Sequence, residues 1–333
     1  MESLKQALSK LFGLSDISLV KLDAGFLSDN YEVTAGAQKF FLKGYRYESV
    51  EKIAEIHKVK NIFAGKGIPV IMPIATKTGE TFFSVNGKNF ALFPFVSGIH
   101  YNRGVIPPNA IKVVADLLAK MHRIGKECGF ATKEVMSEKD TATVMLEARH
   151  LLEIIVNIKN KSAFDKLALA SVEMKLRLME EYNNSKRDRP TEPPILIHGD
   201  FHDQNVFFGE DGEIKYVFDF EKAMMAPRWF ELWQSADYMF INGDFSKKRV
   251  GDAITYLKEY NLKNSISEKE LLAGLDAYYR RLIHGFWAEK EHYLKGNTRT
   301  DRFLENKSTR YLSENMEKFK RVISEGVYDR NSF

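Results

Sequence analysis

The residues of this chain that could do chemistry lie close together. Ile195-Leu-Ile-His198-Gly-Asp200-Phe-His-Asp-Gln-Asn205-Val-Phe-Phe208 sets a histidine, an acid and an amide in a short loop between apolar runs. Tyr216-Val-Phe-Asp219-Phe-Glu221 then adds an apolar run that ends in an acid. Phosphoryl transfer to a hydroxyl needs few groups. One carboxylate orients the hydroxyl and takes its proton, and hard oxygen ligands hold magnesium against the phosphates. Asp200 fits the first task, and Asn205 and Asp219 fit the second. His198 belongs to the same catalytic set as a brace, through hydrogen bonds to backbone or to the metal-site carboxylate. Taken singly, such residues mark a turn, a cap or a strand end. Their order, spacing and apolar flanks make them a set.

These residues need elements to hold them. Residues 2–12 read as a short amphipathic helix with Leu4, Leu8, Leu11 and Phe12 on one side. Strand patterns follow at Ile17–Leu22, Asn30–Thr34 and Lys39–Tyr45, the last two flanking Ala35-Gly36-Ala37. Ser49 is placed to cap a helix over 50–65, striped by Ile53, Ile56, Val59 and Phe63. Pro69 and Pro73 then force extended chain. Thr81–Val85 and Asn89–Phe95 read as a hairpin around Asn86-Gly87. After Pro94–Gly98 the patterns are helical: 109–125, 140–160, 162–183, 250–261, 268–290 and 308–325. The expected class is α+β in two lobes: an antiparallel β lobe with one inserted helix over 1–96, and a larger helical lobe over 97–333. Such an arrangement suits a nucleotide cleft between lobes.

Composition removes several other functions. Of 333 residues 44% are hydrophobic and 28% charged, as in soluble globular proteins. A net charge of +4 and short basic patches give no footprint for nucleic acid. Cys128 is the only cysteine, so an intramolecular disulfide and a Cys-rich zinc site are excluded. No apolar run is long enough to span a membrane. The opening Met-Glu-Ser-Leu-Lys lacks a signal-peptide layout, and the expected location is the cytoplasm. A monomer or homodimer is expected.

His198-Gly-Asp200-Phe-His-x-x-Asn205 followed by Phe218-Asp219-Phe-Glu resembles the aminoglycoside phosphotransferase and choline kinase superfamily, nearest to its homoserine kinase-like and stress-response kinase-like branches. The resemblance extends over residues ~20–240. Phe40-Phe-Leu-Lys43 is similar to the lysine strand, and Gly67-Ile-Pro69-Val to the segment after the inserted helix. Leu92-Phe93-Pro94-Phe95-Val-Ser-Gly98 is similar to the inter-lobe linker, where backbone groups hold the purine. Ala115–His122 resembles the first helix of the large lobe.

The resemblance implies a protein-kinase-like fold and phosphorylation of a small molecule by ATP or GTP with Mg²⁺, two ions in all. It implies that Lys43 meets the α- and β-phosphates and pairs with an acid on the next helix. Glu55 is the choice, with Glu51 and Glu48 as alternatives, although Ile56 occupies the expected register. The phosphate-covering loop Ala24-Gly25-Phe-Leu-Ser28-Asp-Asn30 has one glycine. Gly25 would let backbone approach, Ser28 and Asn30 would donate to phosphate oxygens, and Asp29 would point outward.

Acceptor contacts are expected from His202, Asp203, Glu221, Trp229 and Glu231 near the catalytic elements, and from Trp287 on a later helix. Acids with aromatics suit a cationic acceptor such as choline, an aminoglycoside, an amino sugar or an amino acid. Arg280 and Arg281 suit a carboxylate equally, which would favour a hydroxy amino acid. The reading is an O-phosphotransferase for a small hydroxylated, amine-bearing metabolite or antibiotic, with Asp200 as base. Its rivals are a nucleotide-binding pseudokinase and a stress-response-type serine/threonine kinase. Glu221 stands where a protein kinase has glycine, and no Ala-Pro-Glu element follows.

Overall fold

The computed structural model describes residues 1–22, 28–46, 48–137, 139–184, 189–304 and 306–328. Its first part is a five-stranded antiparallel sheet in the order β1-β2-β3-β5-β4. The strands are β1 (Ile17–Leu22), β2 (Ser28–Ala35), β3 (Gln38–Tyr45), β4 (Phe83–Val85) and β5 (Lys88–Pro94). The β4–β5 turn is Asn86-Gly87 with φ of 50° and 74°, a left-handed pair whose twist matches that of the strands. Side chains alternate between faces. Leu42, Phe90 and Leu92 therefore pack with Val33, Phe83 and the buried Leu4 and Leu8 of α1 (Glu2–Phe12). Tyr45, Ala91 and Phe93 face the other way and pack on Ile53 of α2 (Val50–Gly65). Lys43 shares that second face. It lies opposite Asn30 on β2 and Ala91 on β5. Ser49 caps α2 by accepting from Lys52 N at 3.2 Å.

The second part is mostly helical: α3 (Pro108–Glu127), α4 (Thr141–Val156), α5 (Ala163–Asn183), α6 (Arg228–Ala236), α7 (Lys247–Lys263), α8 (Glu268–His284), α9 (Trp287–Lys295) and α10 (Lys307–Tyr328). The expected continuous helix over 268–290 is instead two. Gly285 leaves helical geometry at ψ 111°, and Phe286 turns into the core. Lys175 donates to the carbonyl of Gly285 that the break releases. In α6 the residues Trp229 through Ala236 are all buried, so its polar side chains Glu231, Gln234 and Ser235, which share one face, point into the protein rather than to solvent. The helix runs on into a π-helical turn, Asp237–Ile241.

Two short strand pairs bring the chemistry together. β6 (Ile195–Ile197) pairs with β9 (Met224–Ala226), and β7 (Val206–Phe208) pairs with β8 (Ile214–Val217). The loop 198–205 joins β6 to β7, and the segment 218–223 joins β8 to β9, so the two pairings hold both connections side by side. Bridges Val70 to Val217 and Ile99 to Phe208 tie them to the chain around the sheet. Among the described residues, no helix is long and apolar enough to cross a membrane.

Candidate active site

The loop 198–205 is held from behind. Glu231 on α6 is fully buried. Its Oε1 accepts from Gly199 N at 2.5 Å, and its Oε2 accepts from His198 N at 3.2 Å. Oε2 also lies 3.0 Å from His122 Nε2 on α3, and His122 Nδ1 lies 2.7 Å from Tyr260 OH on α7. One carboxylate thus satisfies two buried backbone donors of the loop and ties it to three helices. Glu231 was expected to touch the acceptor; the geometry makes it a brace. Trp229 is likewise core, with its Cβ against Gly274 on α8.

His198 braces the loop from within. Its Nδ1 accepts from Asp200 N at 3.3 Å, so Nε2 carries the proton and donates to Phe218 O at 2.8 Å. Burial holds its pKa below the ordinary value, so the ring stays neutral. Asn205 Nδ2 donates to Asp200 O at 2.9 Å and lies 3.3 Å from His202 Nε2, which closes the turn. Asp200 Oδ2 lies 3.0 Å from Lys222 Nζ and 3.6 Å from His202 Nε2. Burial pushes the Asp200 carboxyl up. The His202 contact and the Lys222 charge outweigh it and hold the group well below the carboxylate range.

The neighbouring segment is fixed as firmly. Asp219 adopts φ 66°, ψ 59°, a left-handed conformation that costs a non-glycine residue roughly 1–3 kcal/mol. Phe220 anchors it, fully buried with its ring 4.3 Å from that of His198 and 5.7 Å from that of Phe63 on α2. Lys43 Nζ reaches across from the sheet to Asp219 Oδ1 at 3.0 Å and Glu221 Oε1 at 2.5 Å. Burial raises the Asp219 carboxyl, but Lys43 more than offsets this and leaves it below its usual value.

Glu55 does not meet Lys43. It accepts from Lys133 N at 2.9 Å, because its register turns it away from the sheet. The acid beside Lys43 is Glu221. The inward face of α2 carries His57 and Lys60 instead. His57 lies 3.1 Å from Tyr45 OH and 2.7 Å from Thr81 Oγ1, and burial pushes its pKa to about 3. Lys60 is 3% exposed, with Ile71 O at 3.4 Å and the Phe93 ring centre at 4.4 Å. Sequence reasoning missed both, although they interrupt the apolar stripe of α2.

Ser28 opens β2, and Asn30 stands across from Lys43. Asp29, on the opposite strand face, is held by Arg46 at 2.8 Å, Lys21 at 3.3 Å and Lys88 at 3.6 Å, and its pKa falls to about 2. Gly25 lies outside the described residues. Phe93 is buried against α2, whereas Phe95, past the end of β5, is exposed beneath Lys39. On the acceptor side, His202 stands beside Asp200. Asp203 is fully buried, neither of its carboxylate oxygens is hydrogen-bonded among the described residues, and burial raises its pKa against the pull of His202 and Arg103. Trp287 is half-exposed at the start of α9, its ring 5.7 Å from Phe303.

The donor set suits a hard cation. Asn205 Nδ2 is engaged in the loop, so its Oδ1 and the Asp219 carboxylate are the oxygens that could hold a metal. Among the described residues, buried Glu221 Oε2 meets no hydrogen-bond partner. Oxygen ligands of this kind hold Mg²⁺ together with waters and phosphates.

A sequence profile of the phosphotransferase enzyme family matches residues 18–261, and the chain belongs to that family. It is a kinase-class phosphotransferase with a protein-kinase-like fold. The homoserine kinase of Methylobacillus glycogenes is 22% identical over 260 residues, 76% of this chain and 73% of that protein. The spectinomycin phosphotransferase solved with ADP and spectinomycin superposes with a TM-score of 0.62 at 18% identity, covering 98% of each chain. The choline kinase of Cryptosporidium parvum Iowa II superposes with a TM-score of 0.63 at 11% identity, covering 97% of each.

Proposed function

We propose that this chain transfers the terminal phosphoryl group of ATP or GTP to a hydroxyl of a small, amine-bearing metabolite or antibiotic, by direct in-line displacement. The observation that carries this reading is convergence. Lys43 from the sheet meets Asp219 at 3.0 Å, and Asp219 sits on a segment locked against the Asp200 loop. The nucleotide lies between residues 1–96 and 97–333, with its purine at the linker near Phe93 and Phe95. Lys43, Ser28, Asn30 and the Gly25 loop hold its phosphates. Asn205 and Asp219 would hold Mg²⁺, two ions in all, which offset phosphate charge when bound. Asp200, kept ionised, orients the acceptor hydroxyl and takes its proton late in transfer. His202 and Asp203 offer the imidazole and acidic surroundings that an ammonium-bearing acceptor needs, whereas Glu221, expected among the acceptor contacts, is taken up by Lys43; Trp287 stands further out as a candidate contact. The protein works in the cytoplasm as a monomer or homodimer.

The test is nucleoside diphosphate release from Mg-ATP and Mg-GTP over choline, ethanolamine, homoserine, amino sugars, aminoglycosides and a protein mixture. Release that depends on a small acceptor and is lost in Asp200→Asn is expected. Labelling of protein serine or threonine alone would overturn the small-molecule assignment. Clear Mg-nucleotide binding with no turnover on any acceptor would favour a pseudokinase.

A further inference from the structure

The loop Asp200-Phe-His-Asp-Gln-Asn205 contains no lysine or arginine. Charge in phosphoryl transfer builds on the three equatorial oxygens of the moving group, opposite a base that is itself anionic. Lys43 stands between two acids and is 16% exposed. It is committed to the other end of the triphosphate.

Lys222 differs in both respects. Its Nζ lies 3.0 Å from Asp200 Oδ2, and its side chain is 57% exposed where that of Asp200 is 13% exposed. The ammonium therefore covers Asp200 on the side from which an acceptor must enter. The backbone beneath it is fixed. Gly199 has φ +83°, and a Cβ built there would lie 1.9 Å from the carbonyl oxygen of Lys222 and 3.2 Å from its Cβ. Lys222 is thus seated backbone to backbone on the catalytic loop, with only its long tip free. An ion pair this exposed is held weakly and is readily exchanged.

We propose that Lys222 is a catalytic residue that leaves Asp200 as the nucleoside triphosphate binds and places its ammonium on the oxygens of the γ-phosphoryl group that is to be transferred. This rests on the phosphotransferase reading above. The released Asp200 oxygen then receives the acceptor hydroxyl. The acceptor oxygen forms its bond to the γ-phosphorus as the bond from that phosphorus to the β,γ-bridging oxygen breaks. The bond pair leaves with the nucleoside diphosphate, and the hydroxyl proton passes to Asp200. Lys222 transfers no proton; it supplies charge that the loop lacks.

The test is calorimetric binding of Mg-AMP-PNP and Mg-ADP to the full chain and to Lys222→Met and Lys222→Arg. A contact with the γ-phosphoryl predicts that Lys222→Met weakens Mg-AMP-PNP about tenfold or more and leaves Mg-ADP within about twofold. Lys222→Arg should recover most of the loss. Because the side chain is exposed, both variants should melt within a few degrees of wild type. A Lys222→Met protein that weakens both nucleotides equally, or neither, overturns the proposal and leaves the phosphotransferase reading standing. Wild-type protein that binds neither nucleotide overturns both.

Discussion

Two segments flank the ammonium of Lys43, and they are built to different ends. α2 carries Glu51 and Glu55 but turns His57 and Lys60 inward. The turn from Asp219 to Lys222 carries two acids and delivers both to the lysine. Where a helix supplies the partner acid, a shift of that helix breaks the pair and switches the site. Here the partner comes from the segment that carries Asp219, pinned by Phe220 to His198. The carboxylates that grip Lys43 are therefore not carried by α2, which reaches the pair only through the packing of Phe63 on Phe220. The helix contributes packing, through Ile53 on the sheet and Phe63 on Phe220.

The largest effect should come from the fixed side. Asp200→Asn is expected to cut acceptor-dependent turnover by roughly 10²–10⁴-fold while nucleotide affinity changes little. Turnover within a few-fold of wild type would remove the base from the loop. Next is the brace. Glu231→Ala leaves two buried N–H groups of the loop and His122 without their acceptor, and should cost roughly 3–5 kcal/mol of stability, read by denaturant unfolding. A loss under about 1 kcal/mol would mean the loop holds itself.

The comparison itself is tested by two acids. Glu221→Gln should weaken Mg-ADP binding about tenfold, and Glu55→Gln should leave it within about twofold. Reversed effects would return the partner of Lys43 to α2.

The smallest effect concerns Lys60. Burial, with Lys43 adding repulsion, pushes its pKa from 10.5 to about 7. Between those values the unfolded chain binds more protons, so this group makes stability rise with pH from about 7 towards 10.5. Lys60→Met should remove that rise and add roughly 1–2 kcal/mol at pH 7. The difference in melting temperature between the two proteins, followed against pH, checks both; a constant difference would deny the buried charge.

These contrasts also explain what the sequence made legible. The loop 198–205 could be read because its polar residues fall in a short span between apolar strands, so order and spacing survive without the fold. The β2–β3 and β4–β5 hairpins could be read from Gly36 and Asn86-Gly87, where backbone geometry demands those residues. The burial of α6 could not, because its polar residues Glu231, Gln234 and Ser235 fall on one face, as in a surface helix, and yet all of them lie inside. Glu231 and Trp229 sit in an aromatic run that reads as an acceptor surface, whereas in the fold they serve the core. The partner of Lys43 was misassigned for a related reason. Glu55 lies one residue off the apolar stripe, and this offset, about 100° around a helix, was the signal that it faces away. Glu221 gave no local cue, since its distance from Lys43 along the chain is closed only by the folded strand pairs.

The seat of Lys222 on Gly199 has a mechanical consequence. The two loops that carry Asp200 and Asp219 touch through main-chain atoms, with a hydrogen as the spacer. Side-chain rotamers, salt and protonation leave such a spacing unchanged, so the gap between Asp200 and Asp219 behaves as a fixed tolerance. A single added methyl at position 199 would act as a shim, forcing the loops apart with every chemical group still in place.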